Sequence, residues 1–132
     1  MGSVSGYFGN PGFALYSASK AFTRYLSEGL WYEFKKHNVD LICPVVGPTD
    51  TPTMTNAYGE LENAIDPSVV PINALEKLGS GPVWVSEDIQ AQVSAVEAMS
   101  SEERSTVSAK WAEEFAKLGK KPRVPAKSLR NI

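Results

Sequence analysis

The chain has 132 residues, 42% of them hydrophobic and 21% charged, with a formal charge of −2. That balance is ordinary for one globular domain and argues against disorder, a collagen-like repeat or a dedicated nucleic-acid binder; no apolar run approaches the ~18 residues of a spanning helix. A strand–helix–strand unit takes about 30 residues or more, so a complete six-stranded sheet of such units does not fit.

Residues 1–13 hold Gly2, Gly6, Gly9, Pro11 and Gly12 and read as an irregular loop. They lack the basic-then-apolar order of a secretory leader, and a cytoplasmic location is expected. From Ala14 to His37 apolar residues recur at Ala18, Phe22, Leu26, Leu30 and Phe34, a four-residue spacing that predicts a helix with one apolar stripe. Tyr25, Trp31 and Tyr32 widen that surface, so the helix is expected to pack on two sides, against its own core and a second subunit. Lys35, Lys36 and His37 suit the negative end of the helix dipole, and His37 reads as a helix-end residue.

Val39 to Val46 is short, mostly apolar and bounded by turn signals, which predicts a buried strand. Cys43, the only cysteine, falls in it and reads as a small buried hydrophobe; no disulfide within the chain and no multi-cysteine metal site can form. Residues 47–53 read as a loop and 55–66 as weakly helical. Pro71 to Leu78 is a short helix with Pro at its start and Gly79 beyond its end. Pro82-Val83-Trp84-Val85 is a second strand. Ser86, Glu87 and Asp88 open a helix to about Met99, and Ser101-Glu102-Glu103-Arg104 precedes a last helix to about Leu118, its fourth residue failing the capping-box pattern.

The charge is unevenly spread. Lys117, Lys120, Lys121, Arg123, Lys127 and Arg130 give the last stretch six positive charges and no acid, whereas the preceding 116 residues hold seven basic and fifteen acidic side chains. The tail reads as a solvated extension, with a weak contact to an anionic surface as the sharper alternative.

Tyr16 and Lys20 stand four apart at the start of the long helix, a spacing that puts both on one face. A phenol is a poor base at neutral pH. A lysine cation beside it favours the phenolate, so the pair can exchange a proton with a substrate hydroxyl or carbonyl. Thr23 and Ser27 continue the same polar face.

In context the pair is more specific. Ser3, thirteen residues before Tyr16, together with Tyr16-Ser17-Ala18-Ser19-Lys20-Ala21 and the intervening Gly6, Gly9, Pro11 and Gly12, resembles the active-site stretch of the short-chain dehydrogenase/reductase family. After the next strand, Val46-Gly47-Pro48-Thr49-Asp50-Thr51 is similar to that family's Pro-Gly-x-x-x-Thr block, with Val46 in place of the first proline. The resemblance implies an α/β fold, the C-terminal part of a doubly wound parallel Rossmann-type sheet, mostly helical with about two strands. It divides the chain into residues 1–85 (active-site loop, Tyr/Lys helix, strand, nicotinamide loop and substrate lid), 86–118 (a helical extension) and 119–132 (the basic tail).

It also implies roles. Tyr16 would be the general acid/base, Lys20 would lower the Tyr16 pKa and bind the nicotinamide ribose, and Ser3 would polarise the substrate carbonyl. Gly47, Pro48, Thr49 and Thr51 would hold the carboxamide of NAD or NADP. Asp50 reads as a cap of the following turn. The expected reaction interconverts an alcohol and a carbonyl, with no metal; the apolar residues of 53–78 suggest an apolar substrate, and the 14–37 helix would pair subunits.

No G-x-G-x-x-G loop and no Asn-Asn-Ala-Gly strand motif is present: Gly6, Gly9 and Gly12 have the wrong spacing, and Gly79-Ser80-Gly81 lacks the third glycine. The chain is therefore expected to be the C-terminal half of such an enzyme, unable to bind the dinucleotide or turn over alone. A non-catalytic dimerising fragment and an epimerase- or dehydratase-like relative, which use the same Tyr/Lys pair, are the alternatives.

Overall fold

The computed structural model describes residues 1–118. Its elements run α1 (Ala14–Phe34), β1 (Cys43–Val45), α2 (Pro52–Tyr58), α3 (Val69–Glu76), β2 (Val83–Val85), α4 (Gln90–Ala98) and α5 (Ser101–Leu118), with 3₁₀ turns at Val4–Tyr7, Lys35–His37 and Glu87–Ile89. The architecture is α/β: mostly helical, around a two-stranded parallel sheet in which Cys43 pairs with Val83 and Val45 with Val85. Parallel strands need a crossover, which α2 and α3 supply. The tail segment 119–132, with its five cations, lies outside the described residues.

The first residues are less irregular than their glycines suggest. Gly2 N–H donates to the Pro44 carbonyl at 2.7 Å and Val4 N–H to the Val46 carbonyl at 3.3 Å. Residues 2–4 thus run beside β1 in the same direction, on the side away from β2, without forming a strand, and α1 connects them to it. A side chain at Gly2 would collide with Val45 at 2.8 Å and Cys43 at 3.2 Å. Glycine is needed there for the close approach.

Helix α1 needs no side-chain cap at Phe13. Its last turn tightens to 3₁₀ over Lys35–His37 and ends at Asn38, whose φ of 54° is the left-handed conformation that asparagine tolerates. The strand shrinks from the expected 39–46 to Cys43–Val45, because β2 offers only three residues to pair with. The loop ends earlier than expected: Thr51 caps α2 by accepting from Met54 N–H at 3.3 Å, and Pro52 takes the first helical position. Helix α3 starts two residues before Pro71, and residues 59–68 hold no helix. The capping box lies one residue earlier than the expected Ser101. Ser100 N–H donates to the Glu103 carboxylate at 2.7 Å while Glu103 N–H donates to the Ser100 hydroxyl at 3.3 Å, the full reciprocal pair.

The core joins the sheet to the C-terminal region. Val45, Ile89 and Val93 are buried together, with Val4, Tyr7, Val83 and Val85 packed around them. Cys43 is buried as a small hydrophobe. Residues 86 onward therefore complete the core of the first 85 rather than standing apart from it. Helix α5 is fastened at two places. Ser108, fully buried, donates to the Gly9 carbonyl at 2.7 Å, and Trp111 meets Phe8 edge-on at 5.2 Å; near its end Phe115 meets Tyr58 of α2 at 5.6 Å.

The apolar stripe of α1 faces outward. Phe22 and Leu26 are exposed, as are Leu15 at 89%, Tyr25 and Tyr32. The face turned to the body carries Ser17, Ala21 and Arg24 instead. Periodicity reports which residues share a face, not which face is covered.

Candidate active site

Tyr16 and Lys20 sit in the first two turns of α1. The Lys20 ammonium lies 5.4 Å from the Tyr16 ring centroid and donates to the Met1 carbonyl at 3.2 Å. Tyr16 is 46% exposed. Ser3 reaches the same place from the end of the 2–4 segment, where its hydroxyl accepts from Ser5 N–H at 3.3 Å and caps the Val4–Tyr7 turn. That turn lies directly on α1. A Cβ at Gly6 would stand 2.9 Å from the Lys20 carbonyl carbon and 3.1 Å from Ala21 N, so the absence of a side chain sets the distance between turn and helix.

Ser3, Tyr16 and Lys20 border one cleft of about 550 Å³, and the loop after β1 forms its other side through Gly47, Pro48, Thr49 and Thr51. All the residues expected at the site therefore meet. Met54 and Val70, from the 53–78 segment expected to offer an apolar surface, also line it, together with Pro67, Pro71 and Gly2, which sequence reasoning had not assigned to the site. Among the described residues no carboxylate lines the cleft, and Lys20 is the one charged side chain there.

Several groups at the cleft are already engaged. Pro48 accepts from Ile65 N–H at 3.0 Å and Asp50 N–H donates to Ile65 at 2.8 Å, a parallel bridge between Thr49 and Ile65. In such a bridge the amide and carbonyl of Thr49 itself point the other way. The expectation that backbone groups around Pro48 hold a ligand narrows accordingly to Thr49. Asp50 accepts from the Thr55 hydroxyl at 3.2 Å, a bond between side chains; the cap expected of Asp50 is supplied by Thr51 instead. Thr23 and Ser27 donate to Ser19 and Thr23 carbonyls one turn back, so the polar line they form with Tyr16 satisfies the helix itself.

Behind the Ser3 turn lies a cluster that sequence reasoning missed. The Arg24 guanidinium stacks on Tyr7 at 4.1 Å and on Tyr25 at 4.6 Å. Burial pushes the Tyr7 phenol above its ordinary value of 10.0, with hydrogen bonding and charge from Arg24 opposing the rise. The only hint in the sequence was a basic residue at helical spacing from Lys20.

Among the described residues no group of histidine, cysteine or carboxylate side chains could hold a metal ion, and no helix is long and apolar enough to cross a membrane. The two-stranded parallel sheet, with a phenol and an ammonium at the start of the helix before it, is an α/β arrangement. Residues 1–62 match the short chain dehydrogenase family model. No curated protein and no solved structure matches the chain.

Proposed function

We propose that the cleft is the substrate side of an NAD(P)-dependent oxidoreductase site that interconverts an alcohol and a carbonyl. The observation that carries this reading is the convergence of Ser3, Tyr16 and Lys20 with the 47–51 loop on one cleft that no carboxylate of the described residues lines. When bound, the nicotinamide cofactor supplies or accepts the hydride. The chain's own residues handle the proton. Tyr16 passes it between its phenol oxygen and the substrate oxygen, and the Lys20 ammonium stabilises negative charge on the phenol. The Ser3 hydroxyl accepts from Ser5 N–H, which leaves its own proton to donate to the substrate oxygen.

The residues fit the nicotinamide end of such a cofactor. Thr51 accepts from Met54 N–H, so its hydroxyl proton is free for a carboxamide oxygen, and Thr49 has backbone groups turned away from Ile65. Lys20 would hold the ribose. The sequence carries no G-x-G-x-x-G loop for the pyrophosphate, so the activity requires a dinucleotide-binding half from a longer reading frame or a second chain. Met54, Val70 and Pro71 make the lid side of the cleft apolar, which favours an apolar substrate.

The test is NAD(P)H-dependent reduction of a panel of aldehydes and ketones by the protein encoded with its upstream reading frame. Turnover that survives Tyr16→Phe unchanged would overturn the reading.

A second reading, that α1 pairs two subunits, is favoured by a separate observation: the contiguous exposure of Leu15, Phe22, Tyr25 and Leu26 on one helix. Its measurement is the solution mass of the purified chain.

A further inference from the structure

A second cleft, of about 720 Å³, opens between the first half of α1, the 6–9 loop and the corner where α4 meets α5. It shares no lining residue with the Tyr16 cleft. Its floor is Ala14, Ser17, Ala18 and Ala21, one face of α1 at helical spacing, with no side chain long enough to fill the gap. A floor of small residues is not by itself a site.

The polar groups around it point further. Ser17 is only 4% exposed and its hydroxyl has no hydrogen-bond partner. Its helical neighbours Ser19, Thr23 and Ser27 all donate to carbonyls of the preceding turn, so the unpaired hydroxyl is particular to the residue that faces this space. Buried polar groups are almost always paired, by protein or by something bound.

The walls supply charge. Arg24 is held loosely by Glu97 at 3.7 Å and Glu28 at 4.0 Å, and its Nε has no hydrogen bond. Arg104 contacts the Ser101 hydroxyl at 3.4 Å, and among the described residues no carboxylate lies within ion-pair distance of it. Among the described residues Glu97 is the only acid of the lining and already faces Arg24, so of the two lining arginines Arg104 is left without a carboxylate. Ser101, Arg104 and Ser105 share one face of α5. Tyr7, Phe8 and Tyr25 give the cleft aromatic walls.

We propose that this cleft binds a small aryl anion, a phosphate monoester or carboxylate on a flat ring. Arg104 with the Ser101 and Ser105 hydroxyls receives the anionic group, Ser17 donates its free hydroxyl proton to a ligand acceptor, and the aromatic walls hold the ring. The site rests on none of the residues assigned to proton transfer, so it stands or falls independently of the oxidoreductase reading.

The experiment is a titration of the ¹⁵N-labelled 132-residue chain with phenyl phosphate, with phenol and inorganic phosphate as separate arms. Saturable shifts are expected at the amides of Ser17, Ser101, Arg104 and Ser105, with both separate arms weaker by about tenfold or more. Arg104→Gln should weaken phenyl phosphate by about tenfold, the worth of one charge-assisted hydrogen bond. Ser17→Ala, which removes only a hydroxyl, should weaken it in the same direction and serves where Arg104→Gln disturbs the fold. The absence of saturable shifts, shifts confined to the surroundings of Tyr16 and Lys20, or equal binding by a folded Arg104→Gln chain would each overturn the proposal.

Discussion

The backbone of Gly6 rests on the backbone of Lys20. A Cβ on Gly6 would sit 2.9 Å from the Lys20 carbonyl carbon and 3.0 Å from its oxygen. Neither partner is a flexible side-chain end, so neither can give way cheaply. Through this contact the turn that carries Ser3 is seated on the helix that carries Tyr16 and Lys20, and the site depends on a residue with no functional group. Gly6→Ala is expected to destabilise the chain by about 1–3 kcal/mol, the usual cost of overpacking. Gly9→Ala, where a Cβ meets nothing within 4 Å, should change stability little. Urea unfolding of the two variants side by side checks this.

Ser108 ties α5 to the loop beside the site. Its hydroxyl proton is shared between the Gly9 carbonyl at 2.7 Å and the Ser105 carbonyl at 3.0 Å, and the residue is fully buried. Ser108→Ala removes the donor and leaves the Gly9 carbonyl unpaired, at a cost of about 1–3 kcal/mol. Amide exchange should rise in α5 and in residues 8–10 together, since one bond joins them. Exchange that rises in α5 alone would show that the loop is held by other contacts.

The Tyr7 phenol, raised above 10.0 chiefly by burial, supports folding only while it is neutral. A folded-state value above the unfolded one means that this contribution is complete below pH 10 and declines as pH climbs through the folded value. The midpoint of thermal unfolding should therefore fall more steeply above pH 10 in the parent chain than in Tyr7→Phe. Removing Arg24, whose hydrogen bond and charge both lower the value, should move the Tyr7 titration higher still, which absorbance at alkaline pH reports.

In the protein that carries a dinucleotide-binding half, Tyr16→Phe should lower kcat by about 10²–10⁴-fold, the range of a lost general acid/base. Lys20→Met should cost both kcat and cofactor affinity, since the proposed function assigns its ammonium to both the phenol and the ribose. The 132-residue chain alone should show no quench of tryptophan fluorescence with NADH or NADPH, and micromolar binding would count against the need for a separate pyrophosphate site.

The outward face of α1 should decide solution mass. Light scattering is expected to show an oligomer for the parent chain and a monomer for Phe22→Glu combined with Leu26→Glu. These side chains are exposed within the single chain, so the fold itself should survive.

Local chemistry was legible without the fold. The four-residue step put Tyr16 and Lys20 on one helix face, and the resemblance carried by Ser3 and the Gly47-Pro48 loop pointed to residues that border the same cleft. The two strands were legible as short apolar runs bounded by turn residues, while their parallel pairing was implied only by the family resemblance. Element ends were less so. The capping box at Ser100 and the early start of α2 at Pro52 turn on which of several neighbouring hydroxyls meets a free N–H, a choice between nearly equal local options.

What only the tertiary structure decided is which surfaces touch. Periodicity grouped Phe22 with Leu26 but could not tell that Ser17, Ala21 and Arg24 are the face turned inward. Composition marked residues 1–13 as glycine-rich but not that Gly2 lies against Val45 and Gly6 against Lys20. Chain order put Gly9 and Ser108 at opposite ends, and a single 2.7 Å hydrogen bond joins them. Contacts of this kind follow from the shape of the packed whole, where the closeness of two backbones depends on every side chain between them; the spacing of catalytic groups along one helix depends only on its pitch.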